Sequence, residues 1–370
     1  MSGTGTGQRQ VVEIQVVRRD LRQARIAPRP LAALEEGEIL VEVEKFALTA
    51  NNVSYGVSGD FIGYWRFYPA EDPWGIIPVW GFGRVVGTRH PGFRPGERMW
   101  GFLPMASHAV LRPSVVTATG FVDDAPHRRD LPSVYNAYQR TDGDAPELAT
   151  MDDERCLLFP LFTTSYLIRD WLDDNGYFGA KQVVVLSASS KTGLGLADLL
   201  AHAAGRPVRV VGVTSPANRS FVERLGTCDQ VLVYDEIPRI DASVPTALVD
   251  MAGSAPILRS VHEHVRENLV CSCQVGATHW DARRHRGDLP GAAPAFFFAP
   301  MQIAKRDEDW GPGELLRRAF AESIRISREL RGTLVVARAV GAEACLEAFR
   351  EMVAGRTPPD RGMMLSLGEG

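Results

Sequence analysis

The sequence predicts an α/β protein of two domains, a rolled antiparallel β domain followed by a domain with a parallel sheet. A chain of 370 residues is too long for one ordinary hydrophobic core. Short alternating apolar runs separated by turn residues dominate its first 110 residues. Further along, an apolar strand, a tight turn, an amphipathic helix and a second apolar strand follow one another.

The composition is that of a soluble globular protein, with 45% hydrophobic and 23% charged residues. The net charge of −4 is spread along the chain, so we expect neither a nucleic-acid nor a membrane partner. The polar first ten residues lack the apolar core of a secretory signal, and we expect a cytoplasmic protein. The five cysteines are scattered without zinc-site spacing, which predicts reduced thiols and no metal site.

The antiparallel domain is predicted from residues 11–102. Apolar and polar residues alternate over 11–17 and 38–46, which indicates a β-hairpin. The segment that follows is dense in glycine, proline and aromatic residues, and it contains the strand GRVVGT and the turn HPGFRPGERMW. Many short strands with little helix favour a sheet that rolls on itself.

Residues 112–150 are rich in aspartate, proline, arginine and tyrosine, and they include Tyr135. Two interpretations stay open. The segment is either a surface excursion or a lid that contributes residues to a substrate site, because long ordered loops often serve sites.

The parallel domain is organised around residues 181–226, which form a βαβ unit. A strand over 183–186 leads through a turn of small residues, 187–193, into a helix, and a second strand follows at 208–213. The N–H groups at the start of such a helix suit a phosphate or pyrophosphate. Ser187, Ser190 and Gly193 hold the places of the usual three glycines, so only the last glycine is present.

Two other interpretations of this turn are available. The unit could be a plain βαβ crossover with a polar turn. Ser190, Lys191 and Thr192 are also similar to the end of a nucleoside-triphosphatase loop, but the glycines that such a loop needs are replaced by Val185 and Ser190.

The end of the second strand predicts the choice of dinucleotide. NAD-binding proteins place an acidic residue there for the ribose hydroxyls. This chain instead has Thr214, Ser215, Asn218 and Arg219, which are suited to a 2′-phosphate and favour NADP(H). The alternative is that Arg219 lies on the solvent face of the next helix.

Six segments, taken in order, resemble the medium-chain dehydrogenase/reductase superfamily. That resemblance implies a GroES-like domain over 1–150 and 333–370 and a Rossmann doubly wound domain over 151–332. Two further segments, FVDDAPHRRDLPSVYNAYQRT and APAFFFAPMQIAKRDEDWG, resemble a poorly characterised branch of unknown function. The six segments are GEILVEVEKFALTANNVSYGVSG, IPVWGFGRVVGTRHPGFRPGERMWGF, FPLFTTSYLIRDWL, VVVLSASSKTGLGLADLLAHAAG, VVGVTSPANRSFVERLG and ALVDMAGSAPILRSVHEHV.

Departures from the superfamily pattern point to its zinc-free branch. No cysteine precedes Cys156, and Asn51 and Asn52 stand where the zinc enzymes carry their catalytic cysteine. The chain is therefore similar to quinone oxidoreductases and enoyl reductases, in which an asparagine near this position lines the nicotinamide pocket. Where some enoyl reductases use a tyrosine as proton donor, this chain has Phe61, with Tyr55 and Tyr64 on either side.

The candidate site residues fall into three groups. The catalytic candidates are Asn51, Asn52, Tyr55 and Tyr64, and the candidate substrate contacts are Phe61, Trp65, Arg66, Tyr135 and Lys305. The candidate cofactor contacts, of which the last two are implied by the resemblance, are Ser187, Ser189, Ser190, Lys191, Thr192, Gly193, Thr214, Ser215, Asn218, Arg219, Asp250 and Gly276.

The sequence thus predicts an NADPH-dependent, zinc-independent reductase of a small molecule, acting on an activated C=C bond (enone, quinone or enoyl thioester) or on a carbonyl. Two alternatives remain: a non-redox enzyme on the same scaffold, catalysing an elimination or rearrangement, and a protein that binds NADPH without turnover. The resemblance also implies a possible homodimer, formed through the sheet edge near residues 295–301.

Overall fold

The structure, a computed structural model, describes residues 10–251, 253–275 and 289–368. The chain divides into two compact units. The first comprises the residues up to Leu157 together with those from Val335 onward, and the second comprises Leu158–Leu334.

The first unit begins with a series of strands interrupted by short helices. The strands are β1 (Gln10–Val17), β2 (Asp20–Pro30), β3 (Ile39–Leu48), β4 (Trp74–Gly75), β5 (Pro78–Thr88), β6 (Arg98–Pro104), β7 (His108–Leu111), β8 (Pro113–Ser114), β9 (Gly120–Asp123) and β10 (Ala137–Arg140). The helices are α1 (Ala50–Val57), α2 (Gly59–Ile62) and α3 (Asp152–Leu157).

The second unit alternates strands and helices. The strands are β11 (Gln182–Leu186), β12 (Arg209–Thr214), β13 (Gln230–Val233), β14 (Thr246–Asp250), β15 (Leu269–Gln274) and β16 (Ala295–Phe296). The helices are α4 (Phe159–Asp174), α5 (Lys191–Ala201), α6 (Arg219–Leu225), α7 (Ala255–Val265), α8 (Ala299–Trp310) and α9 (Glu314–Glu329). The chain then returns to the first unit as β17 (Val335–Val340), α10 (Ala342–Val353) and β18 (Arg361–Ser366).

The sheets of the first unit are almost entirely antiparallel. One has the order β2-β1-β4, and the larger has the order β17-β18-β3-β5-β6-β10-β9-β8, with β7 also paired to β3. Within the described residues, β17 and β18 are the one parallel pair of this unit. Inward-facing aromatic side chains such as Phe46, Phe82 and Phe102 are fully buried in its core. The predicted antiparallel β domain is confirmed.

Residues 112–140 contribute three short strands to this sheet. β8, β9 and β10 extend it beyond β6, and the short 3-10 turn Pro126–Arg128 carries a buried arginine. Arg128 donates hydrogen bonds to the Asp123 carboxylate at 2.6 Å, to Asn136 Oδ1 at 3.0 Å and to the Tyr135 carbonyl at 2.9 Å. A buried charge is tolerated when it is paired and hydrogen-bonded in this way. The arginine thereby ties the segment together and fixes the backbone of Tyr135.

The sheet of the second unit is parallel and has the order β13-β12-β11-β14-β15-β16. The strand order reverses between β11 and β14, which is the doubly wound arrangement of a Rossmann domain. All five residues of β11 are buried, as expected for a central strand covered on both faces. The predicted doubly wound domain is confirmed. Ligands of such sheets bind beyond the carboxyl ends of the strands, so the loops after β11, β12 and β14 are where a site is expected.

A buried histidine fastens α7 to the sheet of the second unit. His262 is 0% exposed. Its Nδ1 lies 2.9 Å from the Pro290 carbonyl oxygen and its Nε2 lies 2.9 Å from Ser272 Oγ. The carbonyl can only accept a hydrogen bond, so Nδ1 donates to it. Burial lowers the pKa of His262 and keeps the imidazole neutral in the folded protein at neutral pH, so Nε2 accepts from the Ser272 hydroxyl.

The helices of the described residues include none with the length and apolar character that crossing a membrane requires.

Candidate functional site

The loop between β11 and α5 makes a tight left-handed turn without the usual glycine. Ser187 has a φ of 54°, a conformation that glycine adopts more readily than other residues. Gly193 keeps the third glycine's place for a steric reason, because a Cβ there would lie 2.6 Å from the Ser187 carbonyl oxygen. Two features expected of a dinucleotide-binding loop, a tight turn and a close contact at the third glycine's place, are therefore present.

Ser190 has a specific structural role in this loop. It is the N-cap of α5, and its hydroxyl accepts a hydrogen bond from the Gly193 N–H at 3.1 Å. That contact satisfies one of the amides that a helix start otherwise offers to an anion. A serine here stabilises the helix and at the same time reduces the number of amides that face a ligand.

Side-chain hydroxyls link this loop to those after the next two strands. Ser189 Oγ accepts hydrogen bonds from the Thr214 hydroxyl at 2.9 Å and from Asn218 Nδ2 at 3.1 Å. The Ser187 and Tyr234 hydroxyls are 3.1 Å apart. Four of the predicted cofactor contacts are thus brought together at the carboxyl ends of β11 and β12, and Tyr234, which follows β13, joins them.

The guanidinium predicted to bind a 2′-phosphate is engaged by acidic residues. Arg219 Nε lies 2.9 Å from Glu223 Oε1, and its Nη1 lies 3.0 Å from Glu236 Oε2. Glu236 also pairs with Arg239 at 2.6 Å and accepts from the Val233 N–H at 3.1 Å. Arg219 keeps 38% of its side chain exposed.

The other cofactor candidates lie around the same sheet edge or outside the described residues. Lys191 and Thr192 open α5, and Ser215 follows β12. Asp250 ends β14, is buried, and accepts from the Gly253 N–H at 3.0 Å through Oδ1. Gly276 lies outside the described residues, so its predicted contact stays a prediction.

The chemical character of these residues suits the binding of NADP(H). The loop keeps the left-handed turn at Ser187 and the close contact at Gly193 that a pyrophosphate loop requires. Hydroxyl and amide side chains, with one arginine, line the place where a ribose phosphate is bound in this fold. The end of β12 itself supplies no carboxylate.

In the first unit, three tyrosines form an aromatic cluster with Trp80 and Phe102. The Tyr64 and Tyr135 hydroxyls are 2.8 Å apart, and Tyr55 packs on Tyr64 with ring centroids 4.4 Å apart. Trp80 Nε1 donates to the Tyr55 hydroxyl at 3.3 Å. We call Tyr55, Tyr64 and Tyr135 the tyrosine cluster.

Burial raises the pKa of each hydroxyl of the tyrosine cluster above the ordinary value for tyrosine. All three therefore keep their protons at neutral pH and can act as neutral hydrogen-bond donors. Since an indole N–H can only donate, the Tyr55 hydroxyl accepts from Trp80 and its own proton is directed to another acceptor.

The two predicted asparagines occupy different environments. Asn52 is buried, accepts from the Thr49 N–H at 2.8 Å and donates to the Pro78 carbonyl at 3.1 Å, so both ends of its amide stabilise the start of α1. Asn51 is half-buried and interacts with the Tyr55 hydroxyl. The structure therefore places Asn51 at the tyrosine cluster and gives Asn52 a capping role.

Two further predicted substrate contacts, Phe61 and Trp65, differ in their exposure. Phe61 is 55% exposed. Trp65 is buried against Gly59 and Gly75, whose added Cβ atoms would lie 2.2 and 2.4 Å from its ring. Their substrate contacts, and those of the two cations below, stay predictions.

Both cations predicted to contact a substrate are held in surface ion pairs. Arg66 is exposed and pairs with Asp130 at 2.6 Å. In the second unit, Lys305 pairs with Asp174 at 2.9 Å and with Asp309 at 2.8 Å.

One group of side chains in the described part of the chain has metal-binding potential. Ligand atoms of Asp198, His202 and Glu329 lie within 4.8 Å of one another. Arg325 already pairs with Asp198 and, at 2.9 Å, with Glu329. Because a guanidinium balances the charge there, we assign no metal to this group.

Sequence reasoning missed Trp80, Tyr234 and Glu236. Trp80 is half-buried in β5 between two buried neighbours, and nothing in that pattern singles it out as a functional residue. Tyr234 and Glu236 follow β13 directly. The position of a polar residue just after a predicted parallel strand is a signal that could have found both of them.

The two units together have the fold of the medium-chain dehydrogenase/reductase type, with a GroES-like unit and a Rossmann unit. The chain belongs to the family described as "Protein of unknown function (DUF2855)", whose pattern matches residues 46–358. A comparison with curated proteins finds no match.

Several solved structures share this fold. CurA from Vibrio vulnificus in complex with NADPH has a TM-score of 0.59 at 12% identity, over 98% of this chain and 100% of that one. A probable oxidoreductase from Mycobacterium abscessus has a TM-score of 0.56 at 14% identity, over 97% and 100%. A mutant enoyl thioester reductase from Candida tropicalis has a TM-score of 0.55 at 11% identity, over 97% and 100%. At these identities the likeness establishes the fold.

Proposed function

We propose that this protein is an NADPH-dependent, zinc-independent reductase of a small molecule that carries an activated C=C bond or a carbonyl. The observation that carries the proposal is the loop after β11, which keeps the left-handed turn at Ser187 and the tight contact at Gly193 despite its serine substitutions. The neighbouring structures crystallised with NADP or NADPH support the choice of cofactor.

The cofactor is held, in this proposal, by the loop after β11 and by the residues that follow β12. The turn from Ser187 to Gly193, including Ser189, Ser190, Lys191 and Thr192, binds the pyrophosphate at the start of α5. Ser215, Asn218 and Arg219, next to Thr214, bind the adenosine ribose and its 2′-phosphate. Asp250 and Gly276 lie toward the nicotinamide half. When bound, the cofactor supplies a hydride to the acceptor.

The tyrosine cluster supplies the hydrogen bonds that activate the acceptor. Reduction of an enone or carbonyl builds negative charge on the carbonyl oxygen, and hydrogen-bond donors that are already in place stabilise that charge. Tyr55, Tyr64 and Tyr135 stay protonated because burial raises the pKa of each. The Tyr64 and Tyr135 hydroxyls are 2.8 Å apart, so one of them donates to the other and the second keeps its proton for the acceptor. With these donors present, the chain needs no metal ion as the Lewis acid.

One observation favours an alternative, a protein with this scaffold that performs non-redox chemistry or binds NADPH without turnover. Ser190 caps α5 and engages the Gly193 N–H, so the loop offers fewer amides to a pyrophosphate than a loop with glycine at that place. The proposal and this alternative differ in affinity for the dinucleotide and in turnover, and both quantities can be measured.

The first experiment is calorimetric titration of the protein and its Arg219→Ala variant with NADPH and with NADH. We expect the protein to bind NADPH more tightly than NADH. In the variant the NADPH affinity should fall about tenfold, toward the value for NADH, because the 2′-phosphate loses a charged partner. Arg224→Ala is the matched control, since it removes one exposed arginine from the same helix.

The outcomes separate the candidate functions. Binding of NADPH followed by its oxidation with an enone, a quinone or an enoyl thioester supports the reductase. Tight binding without oxidation by any of these acceptors supports the non-catalytic alternative. Absence of binding of either dinucleotide contradicts the reductase and leaves the non-redox enzyme.

A further inference from the structure

Two arginines share a single carboxylate beside the loop after β12. Glu236 Oε2 lies 3.0 Å from Arg219 Nη1, and Glu236 Oε1 lies 2.6 Å from Arg239 Nη1. The Glu236 side chain is 23% exposed, whereas the side chains of Arg219 and Arg239 are 38% and 61% exposed, so water reaches both ion pairs. The Val233 N–H fixes the carboxylate by donating to Oε2 at 3.1 Å.

This ion-pair group borders the candidate dinucleotide loop on two sides. Arg219 follows Asn218, which donates to Ser189 Oγ at 3.1 Å. Glu236 lies in the same short helical segment as Tyr234, whose hydroxyl is 3.1 Å from that of Ser187. The ion-pair group is therefore connected to the hydroxyls of that loop twice, once through Asn218 next to Arg219 and once through Tyr234 near Glu236.

The charges of this group cancel. Arg219 and Arg239 contribute two positive charges, and Glu236 and Glu223 contribute two negative ones. The hydrogen bond from Val233, the largest cause, and the two arginines lower the pKa of Glu236, so it is ionised at neutral pH. A 2′-phosphate arriving at Arg219 meets a site that is already neutral, and the phosphate has to share the guanidinium with a fixed carboxylate.

We propose that Glu236 determines how strongly the protein prefers NADPH over NADH, by competing with the 2′-phosphate for Arg219. This inference rests on the proposed function, because it concerns the same dinucleotide site. Glu236 acts through Arg219 and is therefore a positioning residue. It keeps the preference for NADPH modest although an arginine is present, because ribose 2′-phosphate and carboxylate are alternative partners of one guanidinium.

The test is calorimetric titration of the Glu236→Gln variant with NADPH, NADH, 2′,5′-ADP and 5′-AMP. Glutamine keeps the size of the side chain and an oxygen that accepts from the Val233 N–H. We expect NADPH and 2′,5′-ADP to bind about three- to fivefold more tightly, which is the upper end of the effect of an exposed ion pair, because the carboxylate no longer competes for Arg219. The affinities for NADH and 5′-AMP should stay within about twofold, since neither carries a 2′-phosphate.

Three further variants separate this effect from other causes. Glu263→Gln removes the same charge from an exposed ion pair of α7 and should change none of the four affinities. The double variant Arg219→Ala/Glu236→Gln should not show the tighter binding of NADPH and 2′,5′-ADP, because the competition acts through Arg219. Arg239→Ala removes the second cation that pairs with Glu236, so the carboxylate then interacts with Arg219 only. The variant should bind NADPH more weakly. It also keeps the inference testable if Glu236→Gln fails to fold, as judged by thermal unfolding.

The possible results distinguish the inference from the proposed function. If both dinucleotides bind and Glu236→Gln leaves the ratio of their affinities unchanged, the inference is overturned and the proposed cofactor stands. Equal tightening of NADPH and NADH also overturns it, since a general change of charge would then explain the gain. Binding of neither dinucleotide to the protein or to any variant overturns the cofactor and this inference together.

Discussion

At the scale of single residues, the candidate dinucleotide loop shows how a serine can stand where a glycine is usual. Ser187 itself adopts the left-handed conformation. The Ser190 hydroxyl accepts a hydrogen bond from the Gly193 N–H at the start of α5. The sequence predicted where the loop lies and that Gly193 holds the place of the third glycine, because strand and helix periodicity locate the turn. It could not show that Ser190 caps the helix, since that depends on the side-chain rotamer.

The tyrosine cluster gives a prediction for single hydroxyl groups. Tyr64→Phe or Tyr135→Phe should lower kcat with an accepted substrate by about ten- to a hundredfold, because each removes a donor that stabilises charge in the transition state. KM should change little, because the rings remain and continue to pack. Steady-state kinetics of the purified variants would measure both parameters.

Tyr138→Phe is the matched control for that prediction. Tyr138 is buried in the same unit, but its hydroxyl donates to the Phe102 carbonyl at 2.6 Å and accepts from Arg128 at 3.1 Å. Its loss should lower stability and leave kcat unchanged. Equal losses of kcat in all three variants would argue against a catalytic role for the tyrosine cluster.

At the scale of elements, residues 112–140 illustrate what the sequence could not reveal. The three strands of this segment, β8, β9 and β10, are only two to four residues long. Strands this short do not show a recognisable periodic pattern. The contact that holds the segment together is a buried arginine bound to an aspartate five residues earlier and to an asparagine eight residues later. The segment therefore remained ambiguous until the structure placed it in the sheet.

The attachment of α7 to β15 predicts a dependence of stability on pH. The folded state keeps His262 neutral and lowers its pKa, so the unfolded chain binds the proton more readily. The free energy of unfolding should be level above about pH 6.5 and fall as the pH drops below that value, by at most about 1.4 kcal/mol per pH unit from this residue.

Urea unfolding at a series of pH values between 8 and 5 would measure this dependence. In His262→Gln the fall should be smaller, since the glutamine amide can donate to Pro290 and accept from Ser272 without titrating. His202→Gln, at an exposed position, should keep the fall seen in the unmodified protein. The same slope in both variants would show that other groups cause it.

At the scale of the whole molecule, hydrophobic periodicity and the order of segments predicted both kinds of sheet. The strand order β13-β12-β11-β14-β15-β16 follows from right-handed βαβ crossovers, which the alternation of strands and helices makes predictable. The ion pairs around Arg219 were not predictable, because Glu236 is 17 residues further along the chain and only the parallel sheet brings the two together.

We propose that the protein forms a homodimer through the edge of the parallel sheet near β16. Two large apolar side chains just beyond this edge strand are exposed, Phe298 by 39% and Met301 by 71%. Exposed apolar groups beside an edge strand favour association with a second copy. Light scattering at micromolar concentration should give twice the mass of the 40.6 kDa chain.

Met301→Glu should shift that mass toward the monomer, because it would place a charge in an apolar contact. Val115→Glu is the control, since Val115 is a similarly exposed apolar residue, 75% exposed, in the first unit. A monomeric mass for the unmodified protein would contradict the proposed dimer.

The pairing of β18 with β3 affects how the chain can fold during synthesis. Met363 lies opposite Leu48, so this contact joins residues more than three hundred positions apart. The second unit is one continuous stretch and can fold as soon as it leaves the ribosome. In the first unit, β7 can already pair with residues 39–42 of β3, but residues 46–48 of β3 stay without their partner strand until residues 361–366 emerge. During that time this part of the strand edge is open to pairing with another chain.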